Sequence, residues 1–101
     1  MEELNITKEQ NGTEFVLALE GRLDTMTYDV LENALEPLYE QATSIVLDME
    51  GLKYISSAGL RVIMFAEKVM KKKDGMIIRN VNRDIMDIIE ATGFALFLTF
   101  E

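Results

Sequence analysis

A chain of 101 residues, 49% apolar and 28% charged, is long enough for one domain with one hydrophobic core and too rich in apolar side chains for disorder. Its 18 acidic and 10 basic residues leave a net charge of -8, which sets it against phosphate backbones and anionic lipid surfaces and first of all keeps it soluble. Cysteine and histidine are absent, which removes disulfide frameworks, the usual zinc sites and Ser-His or Cys-His nucleophile pairs.

The start, Met1-Glu2-Glu3, is acidic where a signal peptide would be basic. No apolar run approaches the roughly 20 residues of a membrane span, so a cytoplasmic address is expected. Leu4 to Lys8 is a short candidate strand, and Asn11-Gly12 is a turn signal. Phe15 to Glu20 then alternates, with Phe15, Leu17 and Leu19 on one face. The two segments predict a hairpin.

From Thr27 the period becomes helical, with Val30, Leu31, Ala34, Leu35 and Leu38 as the apolar stripe. Thr27 suits an N-cap and Asp29 the first turn. Pro37 is expected to kink or end this helix near its fourth turn. Ser44 to Met49, around Ile45-Val46-Leu47, predicts a short buried strand. A second helix is expected from about Ser57 to Lys73, with Leu60, Ile63, Met64, Val69 and Met70 inward. Lys71-Lys72-Lys73 would complement the negative end of its dipole, and Gly75 would stop it. Met76 to Ile78 predicts a strand, and Asn82 caps a third helix with Ile85, Ile88 and Ile89 in one stripe and Gly93 at its end. Ala95 to Phe100 is a last apolar segment, strand or tail.

The order β-β-α-β-α-β-α-β over 1–101 predicts a single α/β domain: a mixed, mostly parallel sheet with helical crossovers and an antiparallel element at its N-terminal side. In such sheets sites form beyond the carboxyl ends of strands. Two strand-to-helix junctions qualify, Gly21-Arg22-Leu23-Asp24-Thr25-Met26-Thr27 and Leu52 to Arg61. In the second, Ser56 or Ser57 stands where a helix N-cap belongs, and Ala58 and Gly59 let another backbone approach. Phosphorylating such a serine adds about -1.5 to -2 charge, which a helix N-terminus accepts but a docked partner does not. Taken alone, a Ser-Ser before a helix is more often a cap than a phosphosite, and Asp24 more often a turn residue. A nucleophilic serine is disfavoured, because no Gly-x-Ser-x-Gly elbow and no histidine base are present. Asp24, Asp48 and Glu50 could hold Mg²⁺ in an enzyme, but no phosphate-cradling glycine loop accompanies them.

The run Tyr54-Ile55-Ser56-Ser57-Ala58-Gly59-Leu60-Arg61 resembles the signature of STAS domains, the anti-sigma factor antagonists. Leu47 to Leu52 is similar to the strand and loop before it, Gly21-Arg22-Leu23-Asp24 to the family's Gly-x-Leu-Asp segment, and Ala91-Thr92-Gly93-Phe94 to the end of its last long helix. The resemblance implies a STAS fold and a protein-binding switch without catalytic residues, metal or cofactor. The implied partner is an anti-sigma factor that is also a serine kinase, bound by the unphosphorylated antagonist so that the sigma factor is freed. Phosphorylation would end binding and a phosphatase would restore it. The family's phosphorylated serine falls on Ser57, with Ser56 the alternative. Asp24, Thr25, Ser56, Ser57, Ala58, Gly59, Leu60 and Arg61 would form the partner-binding edge. Arg61, one turn into the helix, could pair with partner carboxylates or with the phosphate. Ser56 stands where many members carry an acidic residue. No nucleic acid or membrane partner is expected, and the chain would be a monomer or weak dimer. A STAS scaffold or transporter-associated subunit without phosphorylation is the alternative.

Overall fold

The computed structural model describes residues 3–101, so the acidic start at Met1 and Glu2 lies outside the described residues. Strand β1 (Leu4–Asn11) turns through Gly12 and Thr13 into β2 (Glu14–Leu23). Gly12 has φ 65°, a value that favours glycine, and supplies the chain reversal the Asn-Gly signal predicts. Helix α1 (Tyr28–Leu35) and the single turn α2 (Leu38–Gln41) precede β3 (Ser44–Ile55). Helix α3 (Ser57–Met70), β4 (Met76–Arg79), α4 (Arg83–Ala91) and a 3-10 turn (Phe94–Phe97) complete the chain.

The strands form one sheet in the order β1-β2-β3-β4. The β1/β2 pair is antiparallel, and β2/β3 and β3/β4 are parallel. The fold is the predicted α/β arrangement of a mixed, mostly parallel sheet. Register places Phe15, Ile45 and Met76 side by side, and likewise Leu17, Leu47 and Ile78. All six are buried, and they join Leu31, Leu35, Leu38, Leu60, Ile63, Ala66, Met70, Ile85 and Ile89 in one core. The period-2 strands thus meet the period-3.6 helices on a single sheet face. Each such buried aliphatic side chain contributes about 1.5–3 kcal/mol relative to exposure.

Several expectations change. Both hairpin strands are longer than predicted, since ladder hydrogen bonds carry β1 through its polar half to Asn11. The first helix breaks at Glu36-Pro37, where the proline was expected to end it, but after two turns and not near a fourth, and α2 restarts the chain. Val30 lies off the core stripe and is exposed, while Val62 is buried. Helix α3 ends at Met70, so the three lysines lie just beyond its last turn, with Lys71 at the cap. Lys73 crosses instead to the carbonyls of Tyr39 and Ala42 at the end of α2, the latter at 2.9 Å. It therefore neutralises a different helix end from the one expected. The last apolar segment is neither full strand nor free tail: after the 3-10 turn, Phe100 forms one parallel bridge to Ile78. Asn82 caps α4 as predicted, its Oδ1 accepting from the Ile85 N–H at 2.9 Å.

Strand β3 runs to Ile55, six residues beyond the predicted end. Its pairing with β2 shifts register twice, between Ala18 and Glu20 and between Gly21 and Arg22. Each shift inserts one extra residue in β3, a bulge. Met49, Leu52 and Ile55, three residues apart, are consequently all buried. Bulges beside a sheet end re-aim the chain, and these deliver the residues after Ile55 to α3.

Candidate functional site

The two junctions singled out in the sequence lie side by side. Leu23 pairs with Ile55 at the carboxyl ends of β2 and β3. The Ser56 N–H donates to the Leu23 carbonyl at 2.9 Å, tying the start of α3 to the residue before Asp24. Gly59 makes this approach possible: a Cβ there would lie 2.4 Å from Leu23 Cγ and 3.2 Å from the Leu23 carbonyl oxygen.

Asp24 organises the first junction. Its Oδ1 accepts from the Met26 N–H at 2.9 Å, and its Oδ2 accepts from Arg22 Nε at 3.3 Å. Thr27, the predicted N-cap, stands at the cap position of α1, where its carbonyl accepts from the Val30 N–H at 2.9 Å but its side chain makes no capping bond. Its hydroxyl donates to the Arg22 carbonyl at 2.7 Å and accepts from the Asp24 N–H at 2.9 Å, closing the turn on itself. The Arg22 guanidinium lies 4.3 Å from the centre of the Tyr54 ring, joining the two junctions through a cation–π contact.

At the second junction Ser56 takes the N-cap place, with φ -112° and ψ 174°, and Ser57 is the first helical residue. The Ser56 hydroxyl makes no capping bond; its Oγ is buried and has no hydrogen-bond partner among the described residues. Ser57 is exposed. No side chain caps the first turn of α3, so the positive end of a 14-residue helix faces outward beside Ser57.

The eight residues expected on the edge divide by exposure. Thr25, Ser57 and Arg61 are exposed, and Asp24, Ser56 and Ala58 are half-buried. Gly59 and Leu60 are buried, so they shape the edge from beneath and do not line it as the sequence reading had them. That reading missed Met26, which is 83% exposed at the tip of the first junction. A methionine between two threonines in a polar turn was the available signal.

Asp24 and Asp48 belong to separate networks. Asp48 accepts from Arg79 Nε at 3.3 Å and Asn80 Nδ2 at 3.0 Å, across the β3/β4 pair. Among the described residues no group of three or more carboxylates gathers to hold a metal ion. Among the described residues no helix is long and apolar enough to cross a membrane. Beside the Ser57 edge, between α1 and α3, lies a groove of about 880 Å³ reaching from Tyr28 and Ala58 to Tyr39 and Phe65. Burial pushes the Tyr39 phenol up to about 12, with Glu32 and Glu36 adding to the effect.

Asp24 and Asp48 predict an acid-sensitive fold. The Met26 N–H, aided by Arg22 and Thr27, holds Asp24 below its ordinary value of 3.8 against some desolvation. Burial pushes Asp48 up, but Asn80, the Glu50 N–H and Arg79 together outweigh it and hold it below 3.8. Both therefore bind protons less readily folded than unfolded. Their contribution is fully present well above pH 3.8 and is lost as pH falls through 3.8 toward the lower folded values. Denaturant titrations should show lower stability at pH 3 than at pH 7, with a shallower fall for Asp48→Asn. An unchanged fall in that variant would remove Asp48 from the account.

The family model described as Mlab, STAS domain matches residues 6–99 of the chain. The anti-sigma-B factor antagonist of Bacillus subtilis is 26% identical over 91 residues, which is 89% of this chain and 84% of that protein. An anti-sigma factor antagonist from Mycobacterium paratuberculosis has the same fold, with a TM-score of 0.87 at 18% identity, over 97% of this chain and 85% of that one. So does the Bacillus cell fate determinant SpoIIAA in its phosphorylated form, with a TM-score of 0.74 at 16% identity, over 96% of this chain and 91% of that one. The chain belongs to the STAS domain family.

Proposed function

We propose that this STAS domain is an anti-sigma factor antagonist, that its partner is an anti-sigma factor with serine kinase activity, and that phosphorylation of Ser57 ends their binding. The observation that carries the reading is the place of Ser57, exposed on the first residue of α3 beside the Asp24 turn. A dianion there meets the open end of the helix and its N–H groups, so the domain keeps its fold. The docking face changes, because a partner seated on a neutral hydroxyl would have to desolvate a dianion or face its repulsion. Arg61 lies one helical turn along on the same face of α3, within reach of a phosphate on Ser57.

The binding edge consists of Asp24, Thr25, Met26, Ser57, Ala58 and Arg61, with Gly59 and Leu60 beneath it and Ser56 as its hinge. The chain itself has no catalytic task; ATP belongs to the kinase and dephosphorylation to a separate phosphatase. The similarity to the anti-sigma-B factor antagonist supports this reading. Incubation with a purified anti-sigma factor serine kinase and ATP, followed by intact mass and peptide mapping, is expected to find one phosphate on Ser57. A phosphate on Ser56 would move the acceptor one residue. A chain left unmodified by that kinase would sink the switch and favour the unphosphorylated scaffold.

A further inference from the structure

The groove between α1 and α3 has walls of opposite charge. Glu32 and Glu36, on successive turns of α1 and just beyond it, line one side. Arg61 lines the other, and Lys68 continues its ridge two turns on, past Phe65. All four charged side chains are exposed, and among the described residues no ion pair joins the two walls. Between them lie Tyr28, Val62 and Phe65, with Phe65 59% and Tyr28 38% exposed. The Phe65 ring stands edge-on to Tyr39, their centres 5.9 Å apart, which holds it at the groove mouth.

This pattern selects its occupant by charge. A basic segment laid in the groove would run along Arg61 and Lys68, and an acidic one along Glu32 and Glu36. A second copy meets neither penalty. Helices α1 and α3 each follow a parallel strand and so run in the same direction. A two-fold axis along the groove would therefore set the acidic wall of each copy over the basic ridge of the other, with the two Phe65 side chains at the seam. We propose that this α1/α3 face is the contact of a weak, isologous homodimer. The seam runs through Ala58 and Arg61, so self-association excludes any contact that uses those two residues. The inference does not rest on a kinase partner or on Ser57 being modified.

The test is sedimentation equilibrium of the full chain from about 10 µM to 1 mM, the affinity range of a weak interface. The expected result is a mass rising from 11.5 kDa toward twice that value, and falling again as salt is raised. Glu32→Lys with Glu36→Lys, and separately Arg61→Glu with Lys68→Glu, are each expected to weaken the dimer at least about tenfold. Mixing the two charge-reversed chains should restore it as a heterodimer. Phe65→Ser should weaken it similarly with unchanged circular dichroism. A chain that stays at 11.5 kDa throughout, a dimer indifferent to the charge reversals, or a mixture that fails to pair would each overturn the proposal.

Discussion

Ser57→Asp is expected to weaken binding of the anti-sigma kinase by at least about tenfold while leaving the fold intact. Like charges, or a charge left unpaired in an interface, cost several kcal/mol, and tenfold is only about 1.4 kcal/mol. The carboxylate carries less charge than phosphate, so true phosphorylation should release the partner more completely. Stability should hold or rise slightly, because an acidic residue in the first turn of a helix contributes about 0.3–1 kcal/mol. Ser57→Ala should bind as the unmodified chain does and accept no phosphate. Calorimetric titration of the purified kinase with each variant reads binding, and thermal melts read the fold. Tight binding by a normally folded Ser57→Asp chain would show that charge at this position does not drive release.

Gly59→Val should destabilise the site strongly without touching its exposed surface. The space a Cβ would need is already held by Leu23, which is fully buried, and by the Leu23 carbonyl that receives the Ser56 N–H. Relief requires moving α3 away from the end of β2, against the packing of Leu60 and Ile63. Overpacking of this kind costs about 1–3 kcal/mol, or a Tm lower by roughly 5–20 °C in a domain of this size. Leu23→Ala in the same chain should recover part of the loss, and the double-mutant cycle measures the coupling. Purely additive losses would mean that the contact between Gly59 and Leu23 is not what fixes the helix.

Spacing along the chain by itself determined most of the architecture. Phe15, Leu17 and Leu19 alternate, and Ile85, Ile88 and Ile89 share a helical stripe, so the sequence carried the hairpin, the parallel crossovers and the cap at Asn82. It also carried the position of Ser57 at a helix mouth, because a serine pair followed by Ala-Gly and an apolar period has few other uses. Only the tertiary structure decided what depends on neighbours distant in sequence. The end of β3 was illegible because two bulges against β2 space Met49, Leu52 and Ile55 by three, which breaks the alternation that marks a strand. Lys73 read as a cap for its own helix because nothing local announces that the end of α2 lies beside it. The inward turn of Gly59 and Leu60 follows from the closeness of Leu23, 36 residues before Gly59 and fixed by the register of β2 on β3. Local periods record which side of an element is apolar, whereas register and helix contacts are set by how those sides fit together.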